Sequence, residues 1–311
     1  MIRNLLCLIL LSLMLQSCAA VDNQFLYTLG TVTGSQAFSI DVVNGDVLVR
    51  NQNQIWLYST FNAWQPRIEA SFTSLYPIED VNFQGGNYIY ISSQEPTNII
   101  SSVDSLNQYG KIYFTRSLIG DRVTREGATL YVADRYRGID IINIGSGGAQ
   151  DLLANFSEKW GVRDFVAKYP YIYALNDFGL VTVDISNLSF PVSIATNYQI
   201  NNATKLVQDG DILYVAAEKN LLVLSVRDVN RPTLINQFRL FDNIQALAIK
   251  DKRLFISQGR NGVKIFDISN PLKLEDLHTF YPPFPVYDIA LENDFVYVAM
   301  GRDGWMIYEY R

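Results

Sequence analysis

The chain has 311 residues, a formal net charge of −6 at pH 7 and a pI near 4.9. A net acidic sequence with no cluster of lysine and arginine lacks the electrostatic footprint of a nucleic-acid binder. With two cysteines and one histidine it offers no zinc ligand set, so no metal and no cofactor is expected. The histidine, His278, falls in a peripheral strand-like run, a poor place for the base of a Ser-His-Asp arrangement.

From the N-terminus, Arg3 and the Leu- and Ile-rich run Leu5–Leu15 have the make-up of an export signal. The apolar run is too short to span a bilayer. It ends in Leu15-Gln16-Ser17-Cys18, which resembles the lipobox of bacterial lipoproteins. The resemblance implies that residues 1–17 are a cleaved signal peptide, that Cys18 is the lipidated first residue, and that residues 18–24 tether the chain to a membrane. The competing reading is an ordinary secretory signal ending near Ala20. The other cysteine, Cys7, lies inside the signal, so no disulfide is expected in the mature domain. Ala19 is not the aspartate that holds lipoproteins at the inner membrane of many enteric bacteria, and no acidic run follows Cys18. By that resemblance the address is the outer membrane facing the periplasm, with display at the cell surface as the second reading.

Residues 25–311 read as one repeating domain. An apolar triplet recurs as Val47-Leu48-Val49, Ile89-Tyr90-Ile91, Leu130-Tyr131-Val132, Ile172-Tyr173-Ala174, Leu213-Tyr214-Val215, Leu254-Phe255-Ile256 and Val296-Tyr297-Val298, at intervals of 41 or 42 residues. Turn dipeptides such as Asn44-Gly45, Gly85-Gly86, Asp209-Gly210 and Asn293-Asp294 precede most copies, a hairpin signature. A second turn and a third strand follow, clearest in Gly262–Ile268, and in most copies a fourth run, such as Leu272–Phe280. Four short strands per repeat predict an all-β, seven-bladed β-propeller with four antiparallel strands per blade. The last copy stops after its third strand, at Tyr310-Arg311, while Phe25–Val32 is an unassigned strand-like run. The N-terminal run is therefore expected to complete the last blade and close the ring.

The third strands carry a family likeness. Leu180–Asn187, Val263–Pro271 and, more loosely, Leu222–Pro232 resemble the LVIVD repeat of bacterial surface and periplasmic proteins, whereas Ile139–Ile144 and Ile55–Tyr58 depart from it. Members of that family are mostly inferred to be binding or scaffold propellers. The Asp-Ile-Ser-Asn-Pro segment itself needs only a structural reading, since Asp and Asn close turns on the backbone ahead of them.

Two sets of side chains are candidate site residues. Asp41, Asp80, Arg122, Asp164, Lys205, Gln245 and Asp288 stand at roughly matching places on the innermost strands and are expected to line the channel. Arg50, Arg135, Tyr136, Arg137, Lys219, Arg260 and Arg302 fall in loops after the second strands, and arginine with aromatic residues is the make-up of an interface centre. Solvation of a wet channel and of exposed turns is the simpler reading of both sets. The function expected is that of a lipid-anchored, non-enzymatic docking or scaffold module at the cell envelope, held to the membrane and partnered by another envelope protein or a glycan, not nucleic acid. The alternative is a propeller enzyme or carbohydrate binder using the channel mouth, for instance through Asp164 and Asp288. The sequence does not set the oligomeric state.

Overall fold

The computed structural model describes residues 27–310 apart from 34, 75, 84–88, 94–98, 101–119, 145–149 and 158–160. The signal run, Cys18, Phe25 and the glycine-rich Gly145–Gly148 lie outside the described residues.

The N-terminal strand β1 (Tyr27–Val32) precedes seven antiparallel sheets. In chain order, the first holds β2 (Ser39–Val43), β3 (Asp46–Arg50), β4 (Gln54–Ser59) and β5 (Arg67–Thr73). The second holds β6 (Ile78–Phe83), β7 (Ile89–Ser93) and β8 (Ile99–Ile100), and the third β9 (Arg122–Glu126), β10 (Thr129–Asp134), β11 (Gly138–Ile144) and β12 (Gln150–Phe156). The fourth holds β13 (Asp164–Lys168), β14 (Tyr171–Leu175), β15 (Leu180–Asp184) and β16 (Val192–Asn197), and the fifth β17 (Ala203–Asp209), β18 (Ile212–Ala217), β19 (Asn220–Ser225) and β20 (Thr233–Arg239). The sixth holds β21 (Ala246–Lys250), β22 (Arg253–Ser257), β23 (Val263–Asp267) and β24 (Glu275–Phe280). The last holds β25 (Asp288–Glu292), β26 (Phe295–Ala299) and β27 (Trp305–Glu309), with β1 as its outer strand.

The architecture is a β-propeller of four-stranded antiparallel blades. Complete blades number six among the described residues where seven were expected, because the second sheet is described with three strands. The run that would supply its fourth strand, by the repeat's spacing, lies outside the described residues. Inner strands follow one another in the order β2, β6, β9, β13, β17, β21, β25 and back to β2. The expected closure is present: β1 pairs antiparallel with β27, from Tyr27 opposite Glu309 to Val32 opposite Trp305.

The repeat's chemistry explains this geometry. In the first, third, fourth, fifth, sixth and last sheets the second strand has sheet on both edges and neighbouring sheets on both faces, so its triplet is buried throughout: Val47, Leu48 and Val49, or Leu213, Tyr214 and Val215. Alternation sends the triplet's central residue to one neighbour and its flanks to the other. Tyr131 packs with Ile172 and Val183 of the fourth sheet, while Leu130 and Val132 join a separate cluster with Val123. The core is thus a series of apolar layers between adjacent sheets. At the β2–β3 hairpin, Asn44 (φ 55°) and Gly45 (φ 79°) both take the left-handed conformation that a tight two-residue turn requires. The Asp-Ile-Ser-Asn segments close turns: Asp184 and Asp267 accept from the N–H of Ser186 (2.8 Å) and Ser269 (2.7 Å). The hydroxyls of the same serines, and after them these N–H groups, hold both carboxyls below the ordinary range.

Candidate functional site

Inner strands lack a hydrogen-bonding partner on the channel side, so their N–H groups there must be satisfied by something other than a ladder. Carboxylates from the preceding sheet do this. Asp80 Oδ2 accepts from Val123 N (2.9 Å), Asp164 Oδ2 from Leu206 N (3.0 Å), and Asp288 Oδ2 from Ile40 N (3.1 Å) and Ser39 Oγ (2.8 Å). Each aspartate is stitched to the strand next around the ring. Arg122 spans two of them: its Nε and Nη2 donate to Asp164 Oδ1 (2.9 and 2.7 Å) and its Nη1 to Asp80 Oδ1 (3.3 Å). Burial opposes the arginine's charge, yet Asp164 and Asp80 hold its pKa above the ordinary value.

All seven side chains expected in the channel line one cavity of about 290 Å³. They do not form one ring. Arg122, Asp164, Lys205 and Asp288 pair across to Ala133, Leu175, Ala216 and Ala299, two residues past the triplet centre. Asp80 takes the same place, opposite Ser92, through a register shift after Ile78. In the first sheet that place belongs to Ser39, opposite Arg50, which the residue types did not single out. Asp41 lies two residues deeper, opposite Leu48. Gln245 sits just ahead of β21, donating its N–H to Ser257 O (2.9 Å).

Asp41 makes its own stitch, to Phe83 N (3.2 Å) and Val42 N (3.0 Å). Burial raises its pKa to about 7 despite those bonds, with Asp288 and Asp80 adding repulsion. A carboxyl whose folded pKa exceeds its unfolded value adds stability that is complete near pH 4 and is lost as pH rises through about 7. Asp41→Asn removes that titration and keeps one acceptor. The drop in melting temperature between pH 5.5 and pH 8 is therefore expected to shrink in the variant; an unchanged drop would remove Asp41 as its source.

Above the channel the mouth widens into a basin of about 770 Å³ lined by Arg50, Arg122, Arg135, Arg163 and Lys205 with Glu79, Asp121, Asp177 and Tyr136. Arg163 is bound to Asp177 (2.6 Å). Arg50 donates through Nη1 to Ile78 O (2.6 Å), while its Nε is buried without a partner, and burial lowers its pKa. The loop-borne set is therefore divided. Arg50, Arg135 and Tyr136 meet at the basin. Arg137 lies beside Asp134 (3.7 Å). Lys219 donates to Phe241 O (3.2 Å), near Asp242 (3.8 Å). Arg260 and Arg302 are exposed and do not line the basin. Asp164 and Asp288, considered as an acid–base pair, are both engaged by stitching bonds, and Asp164 by Arg122 as well.

The sequence reading missed how many aromatics share this end. Loops after second strands and loops between sheets emerge on the same side, and they expose Phe38, Tyr76, Tyr136, Phe178, Tyr198, Phe241, Tyr281, Phe284 and Tyr287. Tyr136 and Phe241 are both 85 % exposed. Among the described residues the opposite end exposes fewer aromatics: Phe61, Trp64, Tyr169 and Phe190. Placing Tyr198 or Phe241 between a fourth strand and the next sheet would have revealed the bias from the sequence.

A family model of the LVIVD repeat matches residues 166–198 and 243–275, in the fourth and sixth sheets, so the chain carries LVIVD repeats within a β-propeller. Among curated proteins none matches it in sequence. In fold, the chain is similar to the computationally designed Ika8 protein (TM-score 0.61, 10 % identity, 91 % of this chain and 99 % of that one). It is also similar to a chain of the mitotic checkpoint complex (0.68, 12 %, 91 % and 93 %). A third likeness is to PorZ, described as an essential bacterial surface component of the type-IX secretion system of Porphyromonas gingivalis (0.61, 15 %, 91 % of this chain but 37 % of that one).

Proposed function

We propose that this LVIVD-repeat propeller is a lipid-anchored module of the cell envelope that docks another envelope protein through its channel-mouth end. The observation that carries the docking half is the concentration of exposed aromatics and arginines on that end of a net acidic chain. Aromatic rings with arginine supply large contact area at low ordering cost, the make-up of interface hot spots. The lipobox-like Leu15–Cys18 supports the anchor. PorZ offers one example of this fold among bacterial surface components, a likeness of fold alone. We read the three-stranded second sheet as the described part of a seventh blade, because its triplet keeps the repeat's spacing and β6 stands between β2 and β9 in the inner ring.

Two measurements test this. Cys18→Ser is expected to move the protein from the membrane pellet to the soluble envelope fraction; retention in the pellet would end the lipid anchor. A photo-crosslinking residue at Phe241 is expected to give a discrete protein adduct in cells, and one at Phe190, on the opposite end, to give none. Equal labelling from both positions would overturn docking through the mouth.

A further inference from the structure

We propose that the docking partner enters the basin with an acidic peptide segment, whose carboxylates are held by Arg50, Arg135 and Lys205. This rests on the docking reading and assigns the chemistry of its centre. Of the five cations around the basin, Arg122 is committed to Asp80 and Asp164 and Arg163 to Asp177. The side chains of Arg135 and Lys205 have no partner among the described residues, and Arg50 uses one donor of its fork. A buried guanidinium N–H without an acceptor is costly. A carboxylate approaching from the basin satisfies such a fork with charge-assisted bonds, which are stronger than neutral ones. The basin's roughly 770 Å³ lies in the range that encloses a ligand of modest size.

The wall also decides between anions. Glu79, Asp121 and Asp177 stand among the cations, so a doubly charged phosphate meets repulsion on every approach. An extended acidic peptide separates its single charges and brings backbone N–H donors. Glu79, whose charge acts on Arg50 and whose side chain makes no hydrogen bond among the described residues, is an acceptor for one of them.

The probe is fluorescein-labelled hexaglutamate, titrated with the purified full-length protein and followed by fluorescence anisotropy at about 20 and about 150 mM salt. Saturable binding is expected, weakened several-fold at the higher salt. Arg135→Ala and Lys205→Ala are each expected to raise Kd about tenfold, and Lys273→Ala, on the opposite end, to leave it unchanged. Among the described residues neither Arg135 nor Lys205 has a side-chain partner to lose, and thermal melts of both variants confirm folding. Acetate is expected to displace the peptide at least as well as inorganic phosphate at equal ionic strength. The assignment is overturned if hexaglutamate binds no better than hexaglycine, if both variants bind like the parent, or if phosphate is the stronger competitor. Should the peptide fail while the Phe241 crosslink persists, the acidic ligand falls and docking stands; loss of the crosslink removes both.

Discussion

A chain beginning at Ser35, lacking β1, is expected to melt about 10 °C or more below the full-length domain and to expose an edge that invites self-association. The last sheet holds β25, β26 and β27 in sequence and receives its outer strand only from the N-terminus. Without β1, the backbone of Trp305–Glu309 loses its outer ladder, keeping the one to β26, and Leu29 and Val32 no longer cover the layer of Trp305, Ile307 and Tyr58 between the last and first sheets. Lost hydrogen bonds and apolar cover of this extent amount to about 4 kcal/mol. A single residue tests the same seam. A Cβ at Gly30 would stand 2.2 Å from the carbonyl oxygen of Ala63, in the loop joining β4 to β5. The atom in the way is backbone, so Gly30→Val is expected to loosen the closure while leaving the strand's other pairing residues intact. Adding a peptide of residues 25–34 to the truncated chain is expected to restore part of the loss. A truncated chain that melts within about 2 °C of the parent would mean the ring does not depend on this strand.

The fold was legible because each blade needs one strand buried on both faces, and such strands announce themselves as apolar triplets between turn residues. Closure was legible for a related reason: a blade short of one strand and a strand without a blade appear in the same chain. The channel was legible by position and less so by residue type. Arg122, Asp164, Lys205 and Asp288 each stand nine residues before a triplet centre, and the same count from Leu48 gives Ser39. A search for charges passed over Ser39 and took Asp41, two residues further along the same face. Which loop arginines converge was not legible, because that depends on how far each loop leans over the channel. Arg50 lies over the mouth because it pairs across to Ser39, while Arg260 and Arg302 follow tight glycine turns that direct them outward from the rim.

Replacing Arg122 by methionine is expected to cost about 3 kcal/mol, read as a fall in the urea midpoint. Methionine preserves much of the apolar stem and removes a charge bound to two carboxylates whose side chains are only 14 % (Asp80) and 6 % (Asp164) exposed. Neither aspartate can swing away to water, since each also accepts from the backbone of the next inner strand, at Val123 and Leu206. The loss therefore falls on the stitching between sheets as well as on the ion pairs. Arg122→Lys is expected to recover only part of it, because one ammonium cannot reproduce a fork that reaches Asp164 through Nε and Nη2 and Asp80 through Nη1. The interpretation turns on coupling. Asp164→Asn keeps an acceptor for Leu206 N and removes the stranded charge, so the double variant Arg122→Met with Asp164→Asn is expected to be at least about 1 kcal/mol more stable than the sum of the single losses allows. Strict additivity would show that Arg122 supports the channel through packing alone and that its charge does not join the sheets.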